Sequence, residues 1–310
     1  SWMKRDLSYH SDIPRMTEGG QQYVGFFLIE DSSVTNLWTI TEFILEQIDS
    51  HPNQFALVLS SNDAVRAGKS GKVGMLLEIE GPARWLNGNT DIIRLLYRLG
   101  LRDMHITHGE GGKEPHYLQG DRSITGPCTP ADRENQRKNF AGLTPIGIET
   151  LKTNEELGII TDLSHTNDKA FFDVIERSAK PPIMSHTGVF SLCHNYRCLT
   201  DDQIRALAAK GGVMGIVVLP GFIDSDPQKA TIDRVVDHIL YVADLVGIDH
   251  VGFGSDYDGF DDPPIVPDVS QLVLLTRAML SRGMTEEDIK KFWGGNFLRV
   301  MRQTIDKPRK

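Results

Sequence analysis

The sequence contains few cysteines, and their spacing excludes the common cysteine-based sites. Its 310 residues include only Cys128, Cys193 and Cys198, and no C-x-x-C motif occurs. Three thiols cannot pair completely, which argues against a disulfide framework and against a thiolate zinc site. Free thiols are typical of a reducing compartment, so a cytoplasmic location is favoured. A Cys193–Cys198 bridge stays open as an alternative, as does secretion through a signal peptide before Ser1.

An excess of basic charge and long apolar runs are also missing. The formal net charge of −9 argues against nucleic acid or an anionic membrane surface as the main partner. No apolar run reaches the roughly 18 residues of a membrane span. Hydrophobic residues make up 40% of the chain and charged residues 24%, as is typical of globular proteins. Because no low-complexity linker divides the chain, we predict one domain over residues 1–310.

Short apolar segments alternate with amphipathic helical segments along the chain. This alternation predicts βαβ units and a parallel sheet. We expect an α/β fold of the TIM-type (β/α)8 barrel rather than a doubly wound sheet, with the first strand missing. Seven strands are predicted, over residues 23–29, 73–80, 104–108, 159–165, 182–186, 213–219 and 251–256.

Five of these predicted strands end on an acid or a histidine. The residues are Glu80, His108, His165, His186 and Asp256. In a parallel barrel the carboxyl ends of the strands meet at one mouth, where active sites lie. A single histidine in such a position is more often a hydrogen-bonded core residue, but five strands sharing the feature favour a metal site. Carboxylate and imidazole ligands together suit zinc.

Two further ionisable residues lie on the same strands. Glu78 precedes Glu80 by two residues, so it points to the same side and is predicted to be a supporting or structural carboxylate. His105 precedes His108 by three residues. On a regular strand this odd spacing turns His105 to the opposite face, away from the site, where a structural role is expected.

A series of motifs in order along the whole chain resembles the renal, or membrane, dipeptidase family of zinc metallopeptidases, within the amidohydrolase superfamily. Singly the motifs are weak, but together their order and spacing are specific. They comprise Glu80-Gly81, Thr107-His108, residues 142–147, Asp162-Leu163-Ser164-His165, residues 182–186, Arg197 followed by Asp201-Asp202, residues 252–259 and residues 295–300.

The resemblance implies a (β/α)8 barrel with a binuclear zinc site. Glu80 would bridge both metals, and His165 and His186 would complete one of them. A bridging water, with its pKa lowered by the metals, would attack the peptide carbonyl. His108 would stabilise the oxyanion, and Asp256 would carry the proton to the leaving amine.

The resemblance also implies how a substrate is held. Arg197 would bind the free C-terminal carboxylate of a small dipeptide substrate through its two-pronged guanidinium group. Phe222 lies where the family has an aromatic substrate contact, although a plain core position fits it equally well. No nucleic-acid partner and no membrane span are expected, and a homodimer is compatible with these features.

Two departures from the family pattern bear on these expectations. Pro82-Ala83-Arg84 replaces the usual Gly-His after Glu80-Gly81, which bears on substrate range rather than on the metal. The family's first strand ends in His-x-Asp, which supplies the other zinc's ligands. His10-Ser11-Asp12 matches this pattern, but the residues before it make a poor buried strand. We therefore predict that this tripeptide is not the metal-binding motif of the first strand.

The first strand would then lie before Ser1, and the native protein would be longer. Two zinc ions are expected where that strand is present and one where it is not. Two alternatives stay open beside the zinc dipeptidase. One is a catalytically impaired barrel that has lost part of its metal site, and the other is a related amide hydrolase such as a deacylase.

Overall fold

Short segments rich in apolar side chains form the strands of the protein. The computed structural model describes residues 3–20, 23–29, 34–114 and 116–307. All strand pairs with a resolved register are parallel. The strands are β1 (Tyr23–Ile29), β2 (Phe55–Leu57), β3 (Val73–Glu80), β4 (Leu101–His105), β5 (Ile160–Asp162), β6 (Ile183–Thr187), β7 (Val213–Ile216) and β8 (Val251–Phe253).

Amphipathic segments between the strands form the helices, and several start at the caps that the sequence provides. Thr200 and Gln203 form a capping box at the start of α9. The helices are α1 (Ile13–Glu18), α2 (Val34–Ser50), α3 (Ser61–Lys69), α4 (Ala83–Leu86), α5 (Asp91–Leu99), α6 (Pro130–Asn139), α7 (Pro145–Leu157), α8 (Asp168–Arg177), α9 (Asp201–Ala209), α10 (Pro220–Ile223), α11 (Ile232–Val246), α12 (Val273–Ser281), α13 (Glu286–Lys290) and α14 (Asn296–Thr304).

The chain divides into two compact units. The first, called the Glu80 unit here, comprises Gln22–Ile124, Glu134–Ile183 and Arg299–Lys310. The second, called the His186 unit, comprises Ser1–Gln21, Thr125–Arg133 and Met184–Leu298. The single-domain expectation for residues 1–310 stays a prediction.

The Glu80 unit contains β1 to β5. Its strands follow the order β1-β3-β4-β5, and β2 pairs with the first residues of β3. The register aligns Glu78 with Asp103 and His105 with Asp162, which brings four ionisable residues onto neighbouring strands. The sequence did not predict β2, because three residues are too few to show a periodic pattern.

The His186 unit contains most of β6 together with β7 and β8, and its strands approach one another closely. A Cβ atom on Gly215 would lie 1.9 Å from the carbonyl oxygen of Ser185, and one on Gly254 would lie 1.7 Å from the same atom. Only glycine fits either position, because no side chain tolerates such a contact. These two glycines therefore fix the backbone around His186.

Within the described residues, no helix combines the length and the apolarity that a membrane span requires.

Candidate metal centre and active site

Glu80 and His165 form the central contact of the Glu80 unit. Glu80 is the last residue of β3 and is 5% exposed, and Gly81 ends the strand with a φ of +69°. Its Oε1 atom lies 2.7 Å from Nε2 of His165. A buried carboxylate facing an imidazole nitrogen is a ligand pair suited to a zinc-type cation.

The backbone of His165 adopts a conformation that few side chains tolerate. Its φ is +67°, in the left-handed region, three residues after the end of β5. Such a conformation costs about 1–3 kcal/mol and persists where surrounding contacts enforce it. The hydroxyl of Ser123 donates to the His165 carbonyl, and the Thr166 N–H donates to the Leu163 carbonyl at 3.1 Å. The turn therefore holds the imidazole in place.

A second set of ionisable groups lies directly beside this pair. His105 Nε2 lies 2.9 Å from Asp162 Oδ2, and His105 Nδ1 lies 3.5 Å from Glu80 Oε1. Glu78, His105 and Asp162 each offer one ligand atom within 4.8 Å of the others, and all three are buried. The second oxygen of Asp162 accepts a hydrogen bond from the Ser164 N–H at 2.8 Å, at the start of the turn that leads to His165.

Burial and neighbouring charge set the protonation of this set. Burial is the largest cause that raises the pKa of Glu78 to about 8. Burial alone would lower the pKa of His105, but Asp162 and then Glu80 outweigh it and raise that pKa to about 9. Burial also raises the pKa of Asp103 well above its usual range. In the absence of a cation, these carboxylates tend to retain protons.

His105 does not lie where the sequence predicted. Its contact with Glu80 places it on the side of the sheet that carries Glu80, so the prediction that it points away is wrong. The prediction assumed a strand continuing to His108, whereas β4 ends at His105 and the alternation of side chains ends with it. Asp103, two residues earlier on β4, shares this side and was not identified from the sequence.

His108 lies in the loop after β4 rather than at a strand end. Its side chain is exposed, and its ring centroid lies 4.4 Å from that of His165 in an edge-to-face arrangement. The His108 N–H donates to the Glu110 carboxylate at 2.7 Å, which fixes the loop locally. The structure thus brings together three predicted site residues, Glu80, His108 and His165.

His186 lies in the other unit, as the penultimate residue of β6. It is 2% exposed, and its Nδ1 lies 2.9 Å from the Ser185 hydroxyl oxygen. Thr187, the next residue, donates from its hydroxyl to the carbonyl of Arg197 at 2.8 Å. The strand of His186 and the loop of Arg197 are therefore joined directly.

Arg197 and Phe222, both predicted substrate contacts, lie against each other. The guanidinium carbon of Arg197 is 5.2 Å from the centroid of the Phe222 ring, a cation–π contact. Two buried thiols on either side of Arg197 tie its loop to α10: Cys193 to the carbonyl of Gly221 and Cys198 to that of Phe222, each at 3.4 Å. Both side chains are partly buried, so each keeps an accessible surface.

Asp256 follows β8 by three residues and has a left-handed backbone, with a φ of +58°. The Gly259 N–H donates to the Asp256 carbonyl at 3.1 Å, and a Cβ atom on Gly259 would lie 2.4 Å from Asp256 Oδ1. The tight turn at residues 256–259 therefore positions the carboxylate and requires glycine at its end.

The His10-Ser11-Asp12 tripeptide has partners that account for both of its ionisable groups. Asp12 caps α1 and accepts hydrogen bonds from the Arg15 N–H at 2.9 Å and from Arg15 Nε at 2.7 Å. His10 Nδ1 accepts a hydrogen bond from the Asp258 N–H at 3.0 Å. Within the described residues, neither side chain belongs to a group with metal-ligand spacing.

The comparison with protein-family models decides the family. The model described as membrane dipeptidase (Peptidase family M19) matches residues 2–309. The chain belongs to this family. The resemblance read from the motifs is thereby confirmed, and so is the enzyme class, a dipeptidase and hence a hydrolase.

Two curated relatives share this assignment. Dipeptidase tcpJ of Claviceps purpurea is 27% identical over 317 residues, covering 97% of this chain and 71% of that protein. Dipeptidase ataJ of Aspergillus terreus is 33% identical over 279 residues, covering 86% of this chain and 66% of that protein. The chain therefore spans about two thirds of the length of these relatives.

Solved structures establish the fold. The crystal structure of dipeptidase AC, a metallopeptidase, matches with a TM-score of 0.89 at 24% identity and covers 99% of this chain and 92% of that chain. A metallopeptidase from Rhodobacter sphaeroides matches with a TM-score of 0.84 at 23% identity and covers 98% and 92%. The predicted α/β fold of the TIM-barrel type is confirmed by this likeness.

Proposed function

We propose that this protein is a zinc dipeptidase that hydrolyses the peptide bond of dipeptides with a free C-terminal carboxylate. One observation carries the proposal: Glu80 faces His165 at 2.7 Å with the His108 ring against His165. In a chain of the membrane dipeptidase family, this arrangement supports a metal-dependent peptidase, and all three residues lie in one compact unit.

Glu80 and His165 would hold the zinc, and the family pattern adds His186 as a further ligand. The donor set fits, because buried carboxylate oxygen and imidazole nitrogen are ordinary zinc ligands. The metal supplies Lewis-acid chemistry and lowers the pKa of a bound water. The number of zinc ions depends on the His-x-Asp ligands of the family's first strand; without them, one zinc is expected on Glu80, His165 and His186.

His108 and Asp256 would handle the charge and the proton of the reaction. The exposed His108 imidazole can donate a hydrogen bond to the oxyanion that develops on the peptide carbonyl, a role that requires a donor already held in place. Its position against His165 provides that preorganisation. Asp256, held by the turn at residues 256–259, would take up a proton and pass it to the leaving amine.

Arg197 and Phe222 would select the substrate. The guanidinium group pairs with a carboxylate through two parallel hydrogen bonds, which favours a substrate that ends one residue after the scissile bond. Phe222, 5.2 Å from that guanidinium carbon, offers an apolar surface to the adjoining part of the substrate. The related Rhodobacter sphaeroides metallopeptidase was solved with a phosphinate mimic of the dipeptide L-Ala-D-Ala, a ligand of this substrate class.

Hydrolysis of a matched set of small substrates tests the proposal. We expect zinc-loaded protein to cleave Ala-Ala and Gly-Ala and to lose this activity with 1,10-phenanthroline. The corresponding dipeptide amides, which lack the carboxylate, should be cleaved poorly. Failure to cleave any dipeptide would refute the proposal. Preferred cleavage of N-acetyl amino acids, which keep the carboxylate but lack the free amine, would indicate a deacylase instead.

A further inference from the structure

Four ionisable side chains fill one side of β3, β4 and β5 next to Glu80. Glu78, Asp103, His105 and Asp162 are 4%, 1%, 0% and 0% exposed. Three of them are carboxylates, and His105 is the one cationic partner among the four. Burying charges of one sign is costly unless they are paired or bind a metal ion. The proposed dipeptidase function assigns no role to any of these four residues.

The spacing of three of them matches the ligands of a single ion. Atoms of Glu78, His105 and Asp162 lie within 4.8 Å of one another, and His105 Nε2 is 2.9 Å from Asp162 Oδ2. Ligands about 2.0–2.2 Å from a tetrahedral zinc ion stand roughly 3.4 Å apart, so small side-chain movements would suffice. The three residues come from three neighbouring strands, which form a rigid support.

Asp103 provides independent evidence that the carboxylates around His105 need a positive charge near them. Its Oδ1 atom is buried and has no hydrogen-bond partner among the described residues. Its neighbours include Glu78, with which it is aligned across β3 and β4, and Asp162. A buried carboxylate oxygen without a donor, close to two further carboxylates, requires either a proton or a nearby cation to offset its charge.

We propose that Glu78, His105 and Asp162 bind a divalent transition-metal cation of the zinc type, at a site separate from the one built on Glu80 and His165. Two carboxylates and one imidazole suit such an ion. All three ligands come from the described strands, so the site requires no residue before Ser1. Because its three ligands are buried, an ion at this site would be shielded from bulk solvent.

His105 would connect this ion to the catalytic carboxylate. When Nε2 binds the cation, the ring proton is on Nδ1, which faces Glu80 Oε1 at 3.5 Å. A metal-bound histidine that donates its other N–H to a carboxylate is a recurrent arrangement, and it orients both groups. The ion would thus act on Glu80 through a single imidazole ring, as a positioning element.

Metal counting on matched variants tests the site. The E80Q/H165N variant removes the ligand pair of the proposed catalytic site, and Asn tolerates the left-handed backbone at position 165. After zinc loading and dialysis, mass spectrometry of the metal should find one equivalent of zinc in this variant. Adding E78Q or H105N to it should remove that equivalent. Adding D173N, which changes a buried carboxylate on α8 outside the cluster, is the matched control and should leave it in place.

Anomalous diffraction at the zinc edge locates the ion without any variant and covers the case in which E78Q or H105N fails to fold. A peak between Glu78, His105 and Asp162 is expected. The absence of a peak there in zinc-loaded crystals, or zinc loss in the variant with D173N equal to that in the variant with H105N, would overturn the proposal and leave a proton-sharing network. Dipeptide hydrolysis is measured separately, because an inactive protein that still holds this zinc refutes only the dipeptidase function.

Discussion

Two histidines, one in each unit, are completely buried but have opposite surroundings. His105, at the end of β4, faces the carboxylates of Asp162 and Glu80. His238, on α11, accepts a hydrogen bond from the Val189 N–H at 3.0 Å, and its Nε2 donates to the Ile223 carbonyl at 2.9 Å. Both side chains are 0% exposed, so burial alone does not distinguish them.

Their partners determine their charge. Burial lowers the pKa of His238 to about 4, and the hydrogen bond to the Ile223 carbonyl offsets this only in part. The carboxylates around His105 outweigh the same burial and raise its pKa to about 9. The surroundings of His105 therefore favour positive charge. The ring of His238 stays a neutral imidazole, which joins the chain after β6 to α10 through two hydrogen bonds. The following predictions test whether this division holds.

The largest expected effect is on catalysis. Replacing Glu80 with Gln keeps the shape of the side chain but removes the negative charge facing His165. We expect kcat/KM for Ala-Ala to fall on the order of 10³-fold, which is about 4 kcal/mol in the barrier. His238→Gln, which retains one donor and one acceptor, should change the rate far less. Equal losses in both variants would mean that the assay reports general damage rather than metal chemistry.

Next in size is the effect on stability. His105→Leu leaves Asp162 and Glu80 without their buried cationic partner, which should cost about 3–5 kcal/mol. His238→Leu leaves the Val189 N–H and the Ile223 carbonyl without a partner, which should cost about 1–3 kcal/mol. Urea unfolding of metal-free protein measures both free energies. A larger loss for His238→Leu would contradict the assignment of the acidic region as the more strongly coupled one.

The sequence alone predicted the strands and the site residues that a local pattern of residue types reveals. Apolar segments predicted seven of the eight strands found in the described residues, and an acid or a histidine at the end of five predicted strands led to Glu80 and His165. These signals are visible because a buried strand tolerates few ionisable residues, so each exception is conspicuous. Phe222 and Arg197 came from the family resemblance, and only the folded chain shows that their side chains are in contact.

The acidic surroundings of His105 could not be predicted, because they depend on where β4 ends. If the strand continued to His108 and His108 faced the site, His105 would face away from it. Because β4 ends at His105, the alternation does not extend to His108, and His105 itself faces Glu80. Alternation with a period of two makes every assignment of side depend on this register. The pairing of His105 with Asp162, 57 positions along the chain, likewise arises from the alignment of β4 and β5.

A smaller effect is expected from pH, through His238. The unfolded chain binds a proton on this residue below about pH 6.5, whereas the folded chain resists protonation until about pH 4. The stability contributed by the neutral ring is therefore complete above pH 6.5 and is lost as the pH falls toward 4. Between pH 6.5 and 5 the loss should be about 2 kcal/mol.

Urea unfolding at several pH values measures this loss, with His238→Gln as the control. Because Gln does not titrate, the difference between the two proteins isolates His238 from the carboxylates that also protonate at low pH. Parallel curves for the two proteins over this range would show that burial does not hold His238 neutral.

The smallest expected effect concerns Arg197, whose guanidinium group lies against Phe222. Arg197→Lys keeps the positive charge but removes the two-pronged donor, so the KM for dipeptides should rise about tenfold while kcat changes little. Arg205→Lys, at an exposed position on α9, is the matched control and should leave both parameters unchanged. A fall in kcat at constant KM would instead assign Arg197 to the transition state. Carboxylate recognition would then belong to another residue, and the preference for a free C-terminus would have to be explained without it.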